Sequence, residues 1–288
     1  MSAHRRAAAT PSVLPLAGRE RIAGYAALAL ALFCVVAPFA WIFLTSLKQQ
    51  IAIYTGAWVF GPTWSNYTDV LFGRRSDFIA NVANSTIVAT ASTLLVLVVG
   101  TLAAYSLYRF RWARWVVTGF LGWTLVFHMI PVLTLVGPWY LAFRQLGWYD
   151  TLGALVLTHI TLNLPITVWL MMAFFREIPP ELHEAALVDG CPPIRAFWSI
   201  ALPLAAPGLI AAGILDFIFS WNEFSVALKL TSRDTATVPV AIARFAQQYE
   251  TQHGQMAAAS VIATVPALLL MALGQRFIVR GLTMGSVK

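Results

Sequence analysis

Asp216, Ser220 and Glu223 stand at i, i+4 and i+7 in an otherwise apolar run, a spacing that places all three on one face of a helix, with Trp221 and Asn222 beside them. Two carboxylates so placed serve either as an acid/base pair or proton relay, or as groups that hydrogen-bond to neighbouring helices or to a water-filled cavity. His128, His159 and Asn163 are further polar side chains in apolar surroundings, suited to lining a route for a polar solute or to bonding helices together. No metal site or catalytic centre emerges. His183-Glu184 opens like the zinc motif HExxH, but position 187 is Leu and no other His lies near. The three lysines, at 48, 229 and 288, never follow a glycine, so a phosphate-cradling GxxxxGK[ST] loop is excluded and the chain does not hydrolyse ATP itself. GxSxG and CxxC are also absent.

A second concentration of charge lies at 177–189, where Glu177, Glu181, Glu184 and Asp189 fall together. Pro179-Pro180 sets a helix start and Glu181 places negative charge at its N-terminal end, where the helix dipole favours it. Gly190 terminates that helix and Pro192-Pro193 opens another. The segment 177–203 is therefore expected to form a helix-turn-helix outside the membrane. Ala185 and Ala186 leave one side of its first helix nearly flat for another protein to approach.

These residues need elements to hold them, and composition names the kind. Of 288 residues, 59% are hydrophobic and 11% charged, too apolar for a water-soluble core of ordinary proportions. Six uncharged runs, each long enough to cross a bilayer core of roughly 30 Å, predict an all-α polytopic membrane protein with six transmembrane helices. The expected spans are about 22–47, 82–108, 115–136, 152–175, 203–228 and 256–278, between an N-terminal arm (1–21) and a C-terminal tail (281–288). The first run is read as an uncleaved span, because no small-residue cleavage site follows it. Small residues in Gly100-Thr101-Leu102-Ala103-Ala104 suit close helix approach, and Pro131 and Pro165 suit local kinks. The segment 48–80, with Trp58, Phe60, Trp64 and Tyr67, reads as extracytoplasmic, and Trp139 to Asp150 as a short outer loop.

With the N-terminus inside, twelve Lys and Arg residues face the cytoplasm and seven face outward, so both termini are expected in the cytoplasm. The net charge of +7 reflects that bias and calls for no nucleic-acid partner. Cys34 in the first span and Cys191 in a cytoplasmic loop predict no disulfide.

The loop between the fourth and fifth spans carries Glu184, Ala185, Ala186, Asp189, Gly190, Phe197, Ile200, Leu202 and Pro203 in the pattern EAAxxDGxxxxxxFxxIxLP. It resembles the EAA loop of permease subunits of bacterial ABC importers; Cys191 stands where that family usually has a small Ala. Trp221-Asn222-Glu223-Phe224, the second-span run NSTIVATASTLLVLVVGTLAAYSLYRF and the ending GLTMGSVK are similar to elements of the carbohydrate-uptake type 1 group, maltose-permease G-like. The likeness covers about residues 22–288.

The resemblance implies a type I importer permease fold in a bacterial inner membrane. It also implies a second homologous permease, two ATP-binding subunits, an extracytoplasmic solute-binding protein and a sugar substrate. ATP and magnesium would be held by the partner subunits, with no cofactor in this chain. Glu184 and its helix would seat in an ATPase cleft, Gly190 would permit the turn, and the tail, with Gly281, Leu282, Thr283 and Lys288, would reach toward the ATPase interface. An importer of amino acids, phosphate or an oxyanion would share the EAA loop, and an intramembrane enzyme using Asp216 and Glu223 is the reading from a different class.

Overall fold

The structure, a computed structural model, describes residues 18–74, 76–246 and 251–284. Its regular structure is helical throughout the described residues. The long elements are α1 (Gly18–Ser46), α4 (Phe78–Arg109), α7 (Leu152–Glu177) and α14 (His253–Met284). Short α2 (Gln50–Tyr54) and α3 (Ser65–Phe72) join the first two, within the segment 48–80. The remaining elements are α5 (Arg114–Met129), α6 (Val132–Gln145), α8 (Pro180–Val188), α9 (Pro193–Ala196), a π-turn at Phe197–Ala201, α10 (Leu202–Leu204), α11 (Ala206–Trp221), α12 (Ser225–Leu230) and α13 (Val238–Ala243).

Four helices are long and apolar enough to cross a membrane, and two bent pairs bring the number to six if each pair is one span. The bends correct two expectations. The third span is not one helix over 115–136: α5 and α6 meet at 96°. Pro131 lacks an N–H and disfavours helical geometry at Ile130, which is extended at φ −71 and ψ 123. Helix then resumes to Gln145, through most of the stretch expected as an outer loop. The fifth span is not one helix over 203–228 either. The Pro193–Leu204 segment meets α11 at 73°, between Pro203 and Pro207, and the helix stops at Trp221 before α12 begins. α1 begins at Gly18, four residues before the expected first span, and residues 1–17 lie outside the described residues. At the other end, Gly281, Leu282 and Thr283 continue α14, and Lys288 lies outside the described residues.

α4, α7 and α11 form the centre, with α14 against α11 and α1 against α14. In lipid the apolar exterior gains nothing by burial, so close packing does the joining. Gly100 supplies it between α4 and α7, where a Cβ would lie 2.9 Å from Thr167 Cγ2. Gly208 does the same for α11, since a Cβ there would enter the Phe174 ring. α1 has no buried residue in its apolar window and presents its side chains outward, as a lipid-facing helix does.

At the end away from α8, the segment after α12 is strapped down. Asp150, at φ 61, accepts from the Ser232 N–H (2.7 Å), the Ser232 hydroxyl and the Thr235 hydroxyl. Asn84 donates to the Asp234 and Ala236 carbonyls, and Arg233 pairs with Asp77. Burial alone would raise the Asp150 carboxyl, but the bonds from Ser232 and Thr235 outweigh it and hold it below the ordinary aspartate range. The hydrogen bond from Arg233 lowers Asp77 likewise.

Candidate functional site

Beside the α5–α6 bend lies a cavity of about 290 Å³ walled by His128, His159, Asn163, Ser220 and Glu223, with Phe127, Phe219 and neighbouring aliphatic side chains. Three helices and two breaks supply its polar groups. His128 occupies the last turn of α5, just before the Pro131 break. His159 and Asn163, four residues apart, share a face of α7. Ser220 ends α11, and Glu223 sits past the helix, in the gap before α12.

A chain of polar contacts ties these elements together. His159 Nδ1 is 2.5 Å from Ser220 Oγ, and Ser220 Oγ is 2.9 Å from Ser92 Oγ on α4. The Ser92 hydroxyl is 2.7 Å from the Val88 carbonyl, which accepts from it. Glu223 accepts from the N–H groups of Val226 (2.9 Å) and Ala227 (3.1 Å), capping α12. Its Oε2 is 3.7 Å from His159 Nε2, too far for a hydrogen bond, and that buried nitrogen has no hydrogen-bond partner.

Five of the eight residues singled out as a solute route therefore meet at one cavity. The expected common face of Asp216, Ser220 and Glu223 is not formed, because α11 ends before Glu223. Asp216 is absent from the cavity wall and is fully buried against α7, where Thr167 Oγ1 lies 2.9 and 2.8 Å from its two carboxylate oxygens. Trp221 is buried on the other side of α11, donating from its indole to the Ala263 carbonyl at 3.1 Å. Asn222 is exposed and donates back to the Ile218 carbonyl. Ser92 and Thr167 were not singled out by sequence reasoning. Ser85 and Ser92, seven apart and both buried on one face of α4, carried a signal for the first.

The second site is the helix-turn-helix. α8 starts at Pro180 and ends in a Schellman turn: Gly190 takes φ +78, and the Cys191 N–H donates to the Ala186 carbonyl at 2.9 Å. Glu184, Ala185, Asp189 and Gly190 are exposed, Ala186 is buried, and Val188, Ile194 and Trp198 leave apolar surface beside them. The loop is rooted. Phe197, 2% exposed, packs its ring 4.7 Å from that of Tyr105 on α4, which in turn lies 5.5 Å from Phe175 on α7. Pro203 sits in α10, just before the bend into α11.

Residues 96–284 match the family described as binding-protein-dependent transport system inner membrane component. The chain belongs to this family. The permease is 39% identical over 257 residues to the trehalose transport system permease protein SugB of Mycobacterium tuberculosis, covering 87% of this chain and 92% of that one. It is 35% identical to the trehalose/maltose transport system permease protein MalG of Thermococcus litoralis, covering 91% and 94%. Its fold matches that of a bacterial ABC transporter involved in the import of the acidic polysaccharide alginate, with a TM-score of 0.75, 21% identity and coverage of 91% and 98%.

Proposed function

We propose that this permease is one half of the membrane pathway of an ATP-driven, binding-protein-dependent sugar importer, in which ATPase subunits act on the membrane helices through the helix-turn-helix. The observation that carries the reading is the continuity from Glu184 to the cavity. The exposed face of α8 is joined through Phe197 to Tyr105 and Phe175, and so to α4 and α7, the helices that supply Ser92 and His159. A rigid displacement of α8 is transmitted to the cavity wall, because packed aromatic contacts shift as a body rather than deform.

On this reading two ATP-binding subunits hold ATP and magnesium, and their closure moves the loop; Glu184 and Asp189 make the polar contact and Ala185 lets the surfaces approach. A second homologous permease completes the cavity. A solute-binding protein delivers the sugar at the end bearing Asp150 and Arg233, and the Lys and Arg bias puts α8 and both termini in the cytoplasm. Sugar is favoured over other solutes by the Trp221-Asn222-Glu223-Phe224 element and by relatives named for trehalose and maltose. The test is reconstitution of the whole importer in proteoliposomes. Glu184→Lys or Gly190→Pro is expected to abolish solute-stimulated ATP hydrolysis and uptake while the chain still assembles in the membrane; full transport by either variant overturns the assignment.

A further inference from the structure

We infer that this half of the pathway accepts neutral, polyhydroxylated solutes and holds anionic ones back. The inference rests on the cavity being part of the solute route. Among the described residues the cavity wall carries one formal charge, the Glu223 carboxylate, and no Lys or Arg. Of the cations on neighbouring segments, Arg144 stacks on Tyr140, Arg233 pairs with Asp77, and the exposed Lys229 lines a different cavity beside Tyr140 and Tyr149. Two backbone N–H groups point at the Glu223 carboxylate, an arrangement that stabilises negative charge and fixes its position.

Glu223 and His159 present acceptors side by side to the cavity, an arrangement suited to neighbouring hydroxyls of a solute. Oε2 and Nε2 are 3.7 Å apart, and the imidazole, 1% exposed, has no partner at Nε2. The Ser92 proton goes to the Val88 carbonyl and the Ser220 proton to Ser92, so His159 donates from Nδ1 to Ser220 and presents Nε2 to the cavity as an acceptor. Two neighbouring hydroxyls of a solute can then donate, one to His159 Nε2 and the other to the Glu223 carboxylate. Asn163 and His128 add amide and imidazole groups on the same wall, and Phe127 and Phe219 give apolar faces against which the C–H faces of a sugar ring can lie. An anionic solute entering the same space meets a carboxylate with no lining Lys or Arg to offset it, and the low-dielectric walls focus that field into the cavity.

The experiment places a single cysteine at Leu162, an apolar residue of the cavity wall, in a chain whose Cys34 and Cys191 are replaced by Ser. In the reconstituted importer, its modification is timed with a cationic trimethylammonium thiosulfonate and an anionic sulfonate thiosulfonate, each normalised to a free thiol. Preference for the cationic reagent is expected, falling on the order of tenfold in Glu223→Gln, the effect of a unit charge acting across a partly wet cavity. The same ratio measured at low and high salt on the Glu223 protein gives a readout that needs no substitution, and it must shrink as salt screens the charge. Labelling by both reagents at a ratio indifferent to Glu223→Gln and to salt overturns the inference and leaves the pathway reading standing. Labelling by neither reagent in any nucleotide state overturns the pathway reading itself, and the inference with it.

Discussion

Asp216 and Glu223 are seven residues apart, near one end of one helix, yet they have come to opposite uses. Asp216 is inside the protein, its carboxylate turned to the Thr167 hydroxyl of a neighbouring helix. Glu223 is past the helix end, turned to the start of α12 and to an unpartnered imidazole in a cavity. What separates them is the break at Asn222. An unbroken helix would carry both carboxylates on one face; ending it after Trp221 swings the second one into the space opened by the α5–α6 bend. An intramembrane acid/base pair would need the two groups to share a site, and only Glu223 is on the cavity wall.

The contrast predicts opposite phenotypes. The largest effect is expected at Glu223. Glu223→Ala removes the group facing His159 and the cap of α12, so uptake by the reconstituted importer should show a KM for a neutral disaccharide such as trehalose raised on the order of tenfold or more, the loss of a hydrogen bond to a charged group. Glu223→Gln should keep expression near normal and show a smaller rise in KM. An unchanged KM in both variants would reduce Glu223 to a capping residue. Asp216→Ala should behave in the other way, lowering thermal stability by about 1–3 kcal/mol because the buried Thr167 hydroxyl keeps only its 3.4 Å contact to the Asn163 carbonyl, while the KM of the surviving protein stays within twofold. A KM change as large as that of Glu223→Ala would place Asp216 in the route after all.

At the end away from α8, the strap held by Asp150 gives a milder comparison. Asp150→Ala should cost about 2 kcal/mol, from the loss of bonds to one backbone N–H and two hydroxyls, read as a lower melting temperature in detergent. The pH dependence has a definite sign. Both Asp150 and Asp77 are lowered in the folded protein, so the stability they contribute is present above the ordinary aspartate value of about 3.9 and is lost as pH falls through their lower folded values. Melting temperature should therefore be insensitive to these groups from pH 7 down to about 5 and drop under stronger acid. Asp150→Asn should flatten that acid limb; Asp77→Asn, at a group exposed to solvent, should change it least.

The helix-turn-helix was legible in detail because every signal for it is local. Pro180 starts α8, Gly190 is the residue able to take φ +78, and Pro192-Pro193 restarts the chain, all within 16 residues of Glu177 and independent of what packs around them. The cavity was legible only in part. His128, His159, Asn163, Ser220 and Glu223 stand out as polar residues in apolar runs, but composition cannot say which of them face one another. Pro131 announced a kink without its size, and nothing in the sequence marks α11 as ending at Trp221.

By itself, then, the sequence determined the number of apolar runs, the turn outside them and the inventory of polar groups, since hydropathy and turn chemistry act over a few residues. Tertiary structure alone decided that two of the spans are bent, that Asp216 turns to Thr167 while Glu223 turns to His159, and that Phe197 roots the loop on Tyr105 and Phe175. These depend on how helices far apart in sequence pack, where a shift of one helix end redirects every side chain that follows it.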